Sequence, residues 1–472
     1  MSSSSHIARK EAHTRDETPP NWLLIVLLSF IPLLMVLGNA VLIPGMPTMQ
    51  STMHVTKFQV SLLITLFSVP AGLVIPFAGF LSDRIGRKWV IVPSILLFGT
   101  GGVVAGFASW WLSHPYWVVL VGRVIQGIGA AGTAPIAMAF MGDLFQGNLR
   151  SKALGINEAG NAFGKVVSPI IGAAVALLAW FAVFFIFPVL CLPLAAAIWW
   201  MVPEASKKKT EQQSISSYLK SLGKIAQREG RWLSVAYLCG ATALFTLFGV
   251  LFYLSDLLES KYNIDGIIKG LILAIPLLVL STTSYITGVV IQKKKQRMKW
   301  FLVVGFAILA TSVLCATWLA TNAWMLIALM SVGAIGTGLV LPSLNMLITS
   351  AVDQTNRGSV TSFYGSVRFL GVAFGPQCSP GCSACPQLRC LSPWHLWLRC
   401  VDCWPGCSSA LRQTRKISRR HSRAFVPWQV GTRRAARRGM IRGLMNTNKG
   451  DETMGGLDSC SPRICYSFCS SS

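Results

Sequence analysis

The sequence predicts an all-α, polytopic membrane protein made of two related six-helix bundles, the second of them incomplete. Three observations carry this. Of the 472 residues, 53% are hydrophobic and only 12% charged, a composition suited to an apolar solvent. About eleven apolar stretches recur, ten of them long enough to cross the ~30 Å hydrocarbon layer at ~1.5 Å per residue. Finally, the chain repeats itself. At an offset of 207, Ile128-Gly129 falls on Ile335-Gly336, Pro135 on Pro342, Arg150 on Arg357, Gly164 on Gly371 and Pro169 on Pro376. Glycine and proline matches at one fixed offset do not follow from hydrophobic composition.

In chain order, residues 1–21 are polar and read as a cytoplasmic segment with no cleavable signal. Spans fall at 22–44, 58–80, 89–108, 115–141, 153–179 and 181–202, forming a first bundle over 22–202. Residues 203–232 read as a basic cytoplasmic linker whose second part is an amphipathic helix lying on anionic lipid. Spans at 233–255, 267–291, 300–319 and 323–349, with a short one at 359–376, form the truncated second bundle over 233–376. Basic residues set the orientation. Arg9, Lys10 and Arg15 precede the first span; Arg84, Arg87 and Lys88 follow the second; Arg150 and Lys152 follow the fourth. Lys207 to Lys209 follow the sixth, Lys293 to Lys295 the eighth and Arg357 the tenth. The alternate loops are nearly bare or acidic, so the N-terminus is expected inside, in a multi-pass protein of the cell membrane. Trp22, Trp110, Trp111 and Trp117 read as interfacial anchors, Asp143 and Asp256 as interfacial acids. Cys191, Cys239 and Cys315 read as inert packing residues.

Charge inside the spans is rarer and more informative, because it is costly there and marks a protein interior or a wet cavity. Arg123 lies in span four; Glu158 and Lys165 lie in span five. Glu158 is the carboxylate placed well inside a span, where burial would raise its proton affinity as a proton carrier requires. Lys165, seven residues on, shares its helix face at a rise of ~10 Å; a structural and a functional role stand equally open for it. Arg368 occupies the repeat position of Asn161 and puts a second-half charge at the same depth. Gly127, Gly129 and Gly132 thin span four; Gly155, Gly160, Gly164 and Gly172 thin span five, so both helices can pack closely.

These residues carry a family resemblance. RVIQGIGAA, Arg123 to Ala131, resembles the fourth-helix signature of the major facilitator superfamily, whose arginine is associated with proton coupling. Gly155, Gly164, Ser168-Pro169 and Gly172-Ala173 are similar to the fifth-helix antiporter signature, with serine and alanine in place of two glycines. GFLSDRIGRKWVI, Gly79 to Ile91, resembles the superfamily's cytoplasmic loop motif, with Gly79, Asp83, Arg84, Gly86, Arg87 and Lys88 at its defining positions. The resemblance implies the major facilitator fold, with the loop acting as a gate latch in the outward-facing state. It implies a drug:proton antiporter that exports small amphipathic or hydrophobic compounds, with Arg123 and Glu158 in proton coupling. Gly371, Gly375, Pro376 and Arg368 are the second-half equivalents. A proton-coupled uptake symporter and a non-transporting truncated product stand as alternatives.

No enzyme chemistry is expected: the spans hold no nucleophile–base pair and no phosphate-binding loop of the G-x4-G-K-[ST] type. The energy source is the proton gradient, without cofactor or metal. The expected partners are a small-molecule substrate and the bilayer, acting on a monomer. The net charge of +25 lies in loops between spans or in the tail and does not imply nucleic acid. After Pro376 the character of the chain changes. Residues 377–472 hold 13 Arg, 2 Lys and ten of the thirteen cysteines, against 11 Arg and 16 Lys before. Cys382, Cys385, Cys400 and Cys403 approach zinc-ribbon spacing without a strand pattern around them. The tail reads as a shifted reading frame, disordered and without a twelfth span.

Overall fold

A computed structural model describes residues 22–145, 147–204, 215–293, 297–319, 322–351 and 357–381. The helices are α1 (Trp22–Ala40), α2 (Met46–Thr52), α3 (Lys57–Ile85), α4 (Arg87–Trp111), α5 (Tyr116–Ala131), α6 (Ala134–Leu144), α7 (Gly147–Ala176), α8 (Ala182–Met201), α9 (Ile215–Tyr262), α10 (Gly266–Lys293), α11 (Met298–Leu319), α12 (Ala323–Ala351) and α13 (Arg357–Gly381). Among the described residues ten segments are long and apolar enough to cross a membrane, and α13 adds an eleventh helix of 25 residues. In hydrocarbon every backbone polar group must bond internally, so the apolar stretches become helices. Serine and threonine in them bond back to carbonyls one turn earlier, as Ser29 does to Ile25 at 2.7 Å and Thr242 to Leu238 at 2.8 Å.

Two spans that read as continuous are broken. A 3-10 turn at Ile43–Gly45 separates α1 from α2, because Pro44 and Pro47 cannot donate to the ladder. Thr133, with φ −105° and ψ −97°, separates α5 from α6, between Gly132 and Pro135. The linker differs as well. Its helix begins at Ile215 and continues without a break into the seventh span, 48 residues in all. The eleventh helix continues to Gly381, beyond the Pro376 at which its apolar pattern stops. The N-terminal segment and the tail after Gly381, with its paired cysteines, lie outside the described residues.

The packing follows the sequence repeat. In the first half α1 packs on α7, α3 and α4 on α5, and α4 on α8; in the second α9 packs on α13, and α10 and α11 on α12. The halves meet through a matching pair of contacts, α3 on α13 and α7 on α10. Glycines bring these helices together. An added methyl at Gly172 would overlap the Val41 carbonyl, and one at Gly371 the Ala241 carbonyl. Phe67, Phe98 and Phe187 fill the first core edge-to-face, with centroids 5.9 and 5.2 Å apart. Cys191 and Cys239 are buried, while Trp22, Trp110, Trp111 and Trp117 are exposed at helix ends.

Candidate functional site: charged groups between and within the bundles

Arg123 is fully buried in the first bundle. Its guanidinium donates to the Leu63 carbonyl at 2.8 Å, the Gly38 carbonyl at 2.8 Å and Gln126 Oε1 at 2.6 Å, and lies over the Phe67 ring at 4.5 Å. One cation thus ties α1, α3 and α5 together. No carboxylate pairs with it among the described residues, so Arg123 and Glu158 do not form one site. The fork geometry of arginine explains the residue type, since three separated acceptors suit five fixed donors.

Glu158, Lys165 and Arg368 are brought together instead. Lys165 is repelled by Arg368 of the other half and attracted by Glu158. The helices α7 and α13 share no extended packing, so these charges act across the space between the halves. The expectation of a buried Glu158 is corrected here: its side chain is exposed. The reason is local. Gly270 sits against the Pro169 carbonyl and Ser281 donates to Ala162 at 3.2 Å, but at Gly155 and Gly288 nothing stands within 4 Å of an added methyl. Thus α7 and α10 pack at one end, and their flanks are open at the end that carries the basic loops. Arg368 lies over the Tyr364 ring at 5.4 Å. Its Nε, the Tyr364 hydroxyl and Asn157 Oδ1 are buried without a hydrogen-bond partner.

The loop after α3 staples the first bundle. Gly86, at φ 118°, makes the turn, a conformation that favours glycine. Arg87 bonds Asp83 at 2.5 Å and Asp143 at 3.1 Å, joining the ends of α3 and α6. Lys88 donates to the Val202 carbonyl at 2.9 Å, and Arg84 lies over the Phe80 ring at 5.0 Å. Asp83 and Arg87 therefore act within one half. Contact with the other half at this end comes from Gly79, where an added methyl would stand 3.2 Å from Ser362 Oγ. Of the fifth-helix signature, Gly164 and Gly172 face α1 and its continuation, Ser168 bonds back to the Gly164 carbonyl, and Gly155 touches nothing. In the second half Gly375 abuts Phe245 on α9.

The fold agrees with comparison. The Major Facilitator Superfamily matches residues 28–376 of the chain. The chain belongs to this superfamily. It is 48% identical over 354 residues to the bacillibactin exporter of Bacillus subtilis (strain 168), covering 75% of this chain and 88% of that one. It is 26% identical to the multidrug efflux protein YfmO of the same organism, over 72% of this chain and 81% of the relative. A solved bacterial homologue of the human lysosomal transporter Spinster, inward-facing and unoccupied, shares the fold at TM-score 0.62 and 18% identity, covering 76% of this chain and 82% of that one. This superfamily member is a multi-pass membrane transporter of small molecules, not an enzyme.

Sequence reading missed the contacts at the end away from the basic loops. Lys57 of α3 bonds Asp256 of α9 at 2.7 Å, across the halves. Lys269, 1% exposed, bonds Glu259 at 2.6 Å and the Pro44 carbonyl at 2.7 Å. Asp256 is therefore a bridge between halves rather than a free interfacial acid. One signal was present: Lys269 is a lysine inside an apolar span at the end where loops carry few bases.

Proposed function

We propose that this superfamily member exports small amphipathic compounds in exchange for protons, by alternating access. The basic loops face the cytoplasm, so the halves are closed on the outside and open toward the cytoplasm along α7 and α10. The observation that carries the reading is that Glu158 of the first half and Arg368 of the second both act on Lys165. While charged, Glu158 holds Lys165 against the repulsion of Arg368. A proton arriving from outside neutralises Glu158, weakens its hold on Lys165 and on a ligand donor, and favours release. Arg123 then serves as a buried tie that makes α1, α3 and α5 move as one body. Export rather than uptake is supported by the fifth-helix signature and by the 48% identity to an exporter.

The test is transport into inverted vesicles with an imposed pH gradient, using a panel of amphipathic compounds. Glu158→Gln should abolish gradient-driven accumulation and leave membrane insertion intact. Unchanged accumulation in that variant removes Glu158 from the mechanism; accumulation with the gradient reversed establishes uptake instead.

A further inference from the structure

The end away from the basic loops carries charges that the proposed function leaves unused. The 3-10 turn between α1 and α2 presents the Ile43 and Pro44 carbonyls to the second half. Ser255 of α9 donates to Ile43 at 2.8 Å, and Lys269 of α10 to Pro44 at 2.7 Å. The Ile43 carbonyl also accepts the Met46 N–H within the turn, so Ser255 is its second donor. Lys269 also holds Glu259 at 2.6 Å, and Lys57 reaches Asp256 at 2.7 Å. Asp256 and Asp265 add their fields at Lys269, and Tyr253 lies in the field of Asp256 and Lys57. Lys261 is turned over the Tyr262 ring at 5.7 Å.

We propose that Lys269, Glu259, Lys57 and Asp256, docked on the broken first span, form an electrostatic clamp that keeps the external mouth closed. The clamp rests on the orientation argued above. A buried ammonium is tolerable while a carboxylate faces it; without the Glu259 charge, Lys269 keeps a single carbonyl and gains by rehydration. Opening the mouth supplies that water. The Lys57–Asp256 pair, with side-chain exposures of 44% and 22%, contributes less than the buried one.

Hydrogen–deuterium exchange on the full chain in lipid nanodiscs tests this without a substrate. At one fixed pH, Glu259→Gln with Asp256→Asn should raise exchange on the order of tenfold across 43–53 and 255–270. Exchange around Gly155 and Gly288 should fall as the halves rock. Removing only the more exposed bridge, Lys57→Gln, should raise exchange at the same segments by less than the double variant does. Unchanged exchange at the outer segments overturns the clamp. So does a uniform rise that includes α4 and α8, because the charges would then hold the fold rather than the gate. If the outer segments respond but vesicles show no proton-driven export, the transport reading fails while the clamp stands; the converse pattern spares transport and sinks the clamp.

Discussion

Burying a guanidinium costs several kcal/mol unless its donors are met, and Arg123 meets them with two backbone carbonyls and Gln126. Its role in this structure is thus to hold helices, whatever it does in the cycle. Arg123→Leu should destabilise the first bundle by roughly 2–3 kcal/mol, the scale of charge-assisted hydrogen bonds, read as a lower thermal midpoint in detergent. Arg123→Lys should recover only part, because an ammonium cannot reach three acceptors set for a fork. Asp83 lies 2.5 Å from Arg87, which also binds Asp143. Asp83→Asn keeps the shape and removes one charge, and should slow the conformational cycle more than it weakens substrate affinity. A collapse of binding with normal cycling would contradict that assignment.

At the scale of helices, glycines decide which pairs can approach. Gly172 lies against the Val41 carbonyl and Gly164 against Leu33, whereas nothing stands within 4 Å at Gly155. All three belong to one sequence signature, yet they should respond differently. Gly172→Val should drive α7 from the first span and lower the thermal midpoint or prevent folding. Gly155→Ala should raise stability by up to about 1 kcal/mol through helix propensity alone. Equal effects in both variants would show that the packing of α7 on the first span is not what the signature supports. The breaks at Ile43–Gly45 and Thr133 belong to the same scale: proline placed them, and one of them became a docking point for the second half.

For the whole molecule, the repeat shows what the second half lacks. In the first half α8 covers α4, with Cys191 against Gly99 and Phe184 and Phe187 against Gly102. Among the described residues no helix covers α11 in this way. A cavity of about 30 Å³ lies between α9, α10, α11 and α12, lined by Thr246, Pro276, Ser312, Met330 and Gly333. Met330 and Gly333 are the repeat positions of Arg123 and Gln126, so this pair of the first half has no counterpart in the second. The match to the superfamily also runs to residue 376, where the repeat and the lysine-rich composition cease. We propose that residues after Pro376 are read in a shifted frame. The nucleotide sequence decides it: an alternative frame beyond codon 376 should encode the rest of the eleventh span and a further ~20-residue apolar span. Restoring that frame should raise the thermal midpoint of the second bundle. Absence of such a span from both alternative frames would refute the idea.

The sequence by itself determined the class, the number and order of spans, the two-bundle repeat and the residues that do not belong in hydrocarbon. It could do so because lipid forces every apolar stretch of sufficient length into a helix, and because charge and glycine in such a stretch are conspicuous. Partners were another matter. Arg123 and Glu158 are both charges inside apolar spans, yet the fold gives one to a backbone network and the other to the surroundings of Lys165, where Arg368 also acts. Lys57 and Asp256 are 199 residues apart, with nothing local to link them. Only the docking of two half-molecules, through contacts distant in sequence, decided which charges face each other and which end of the molecule is closed.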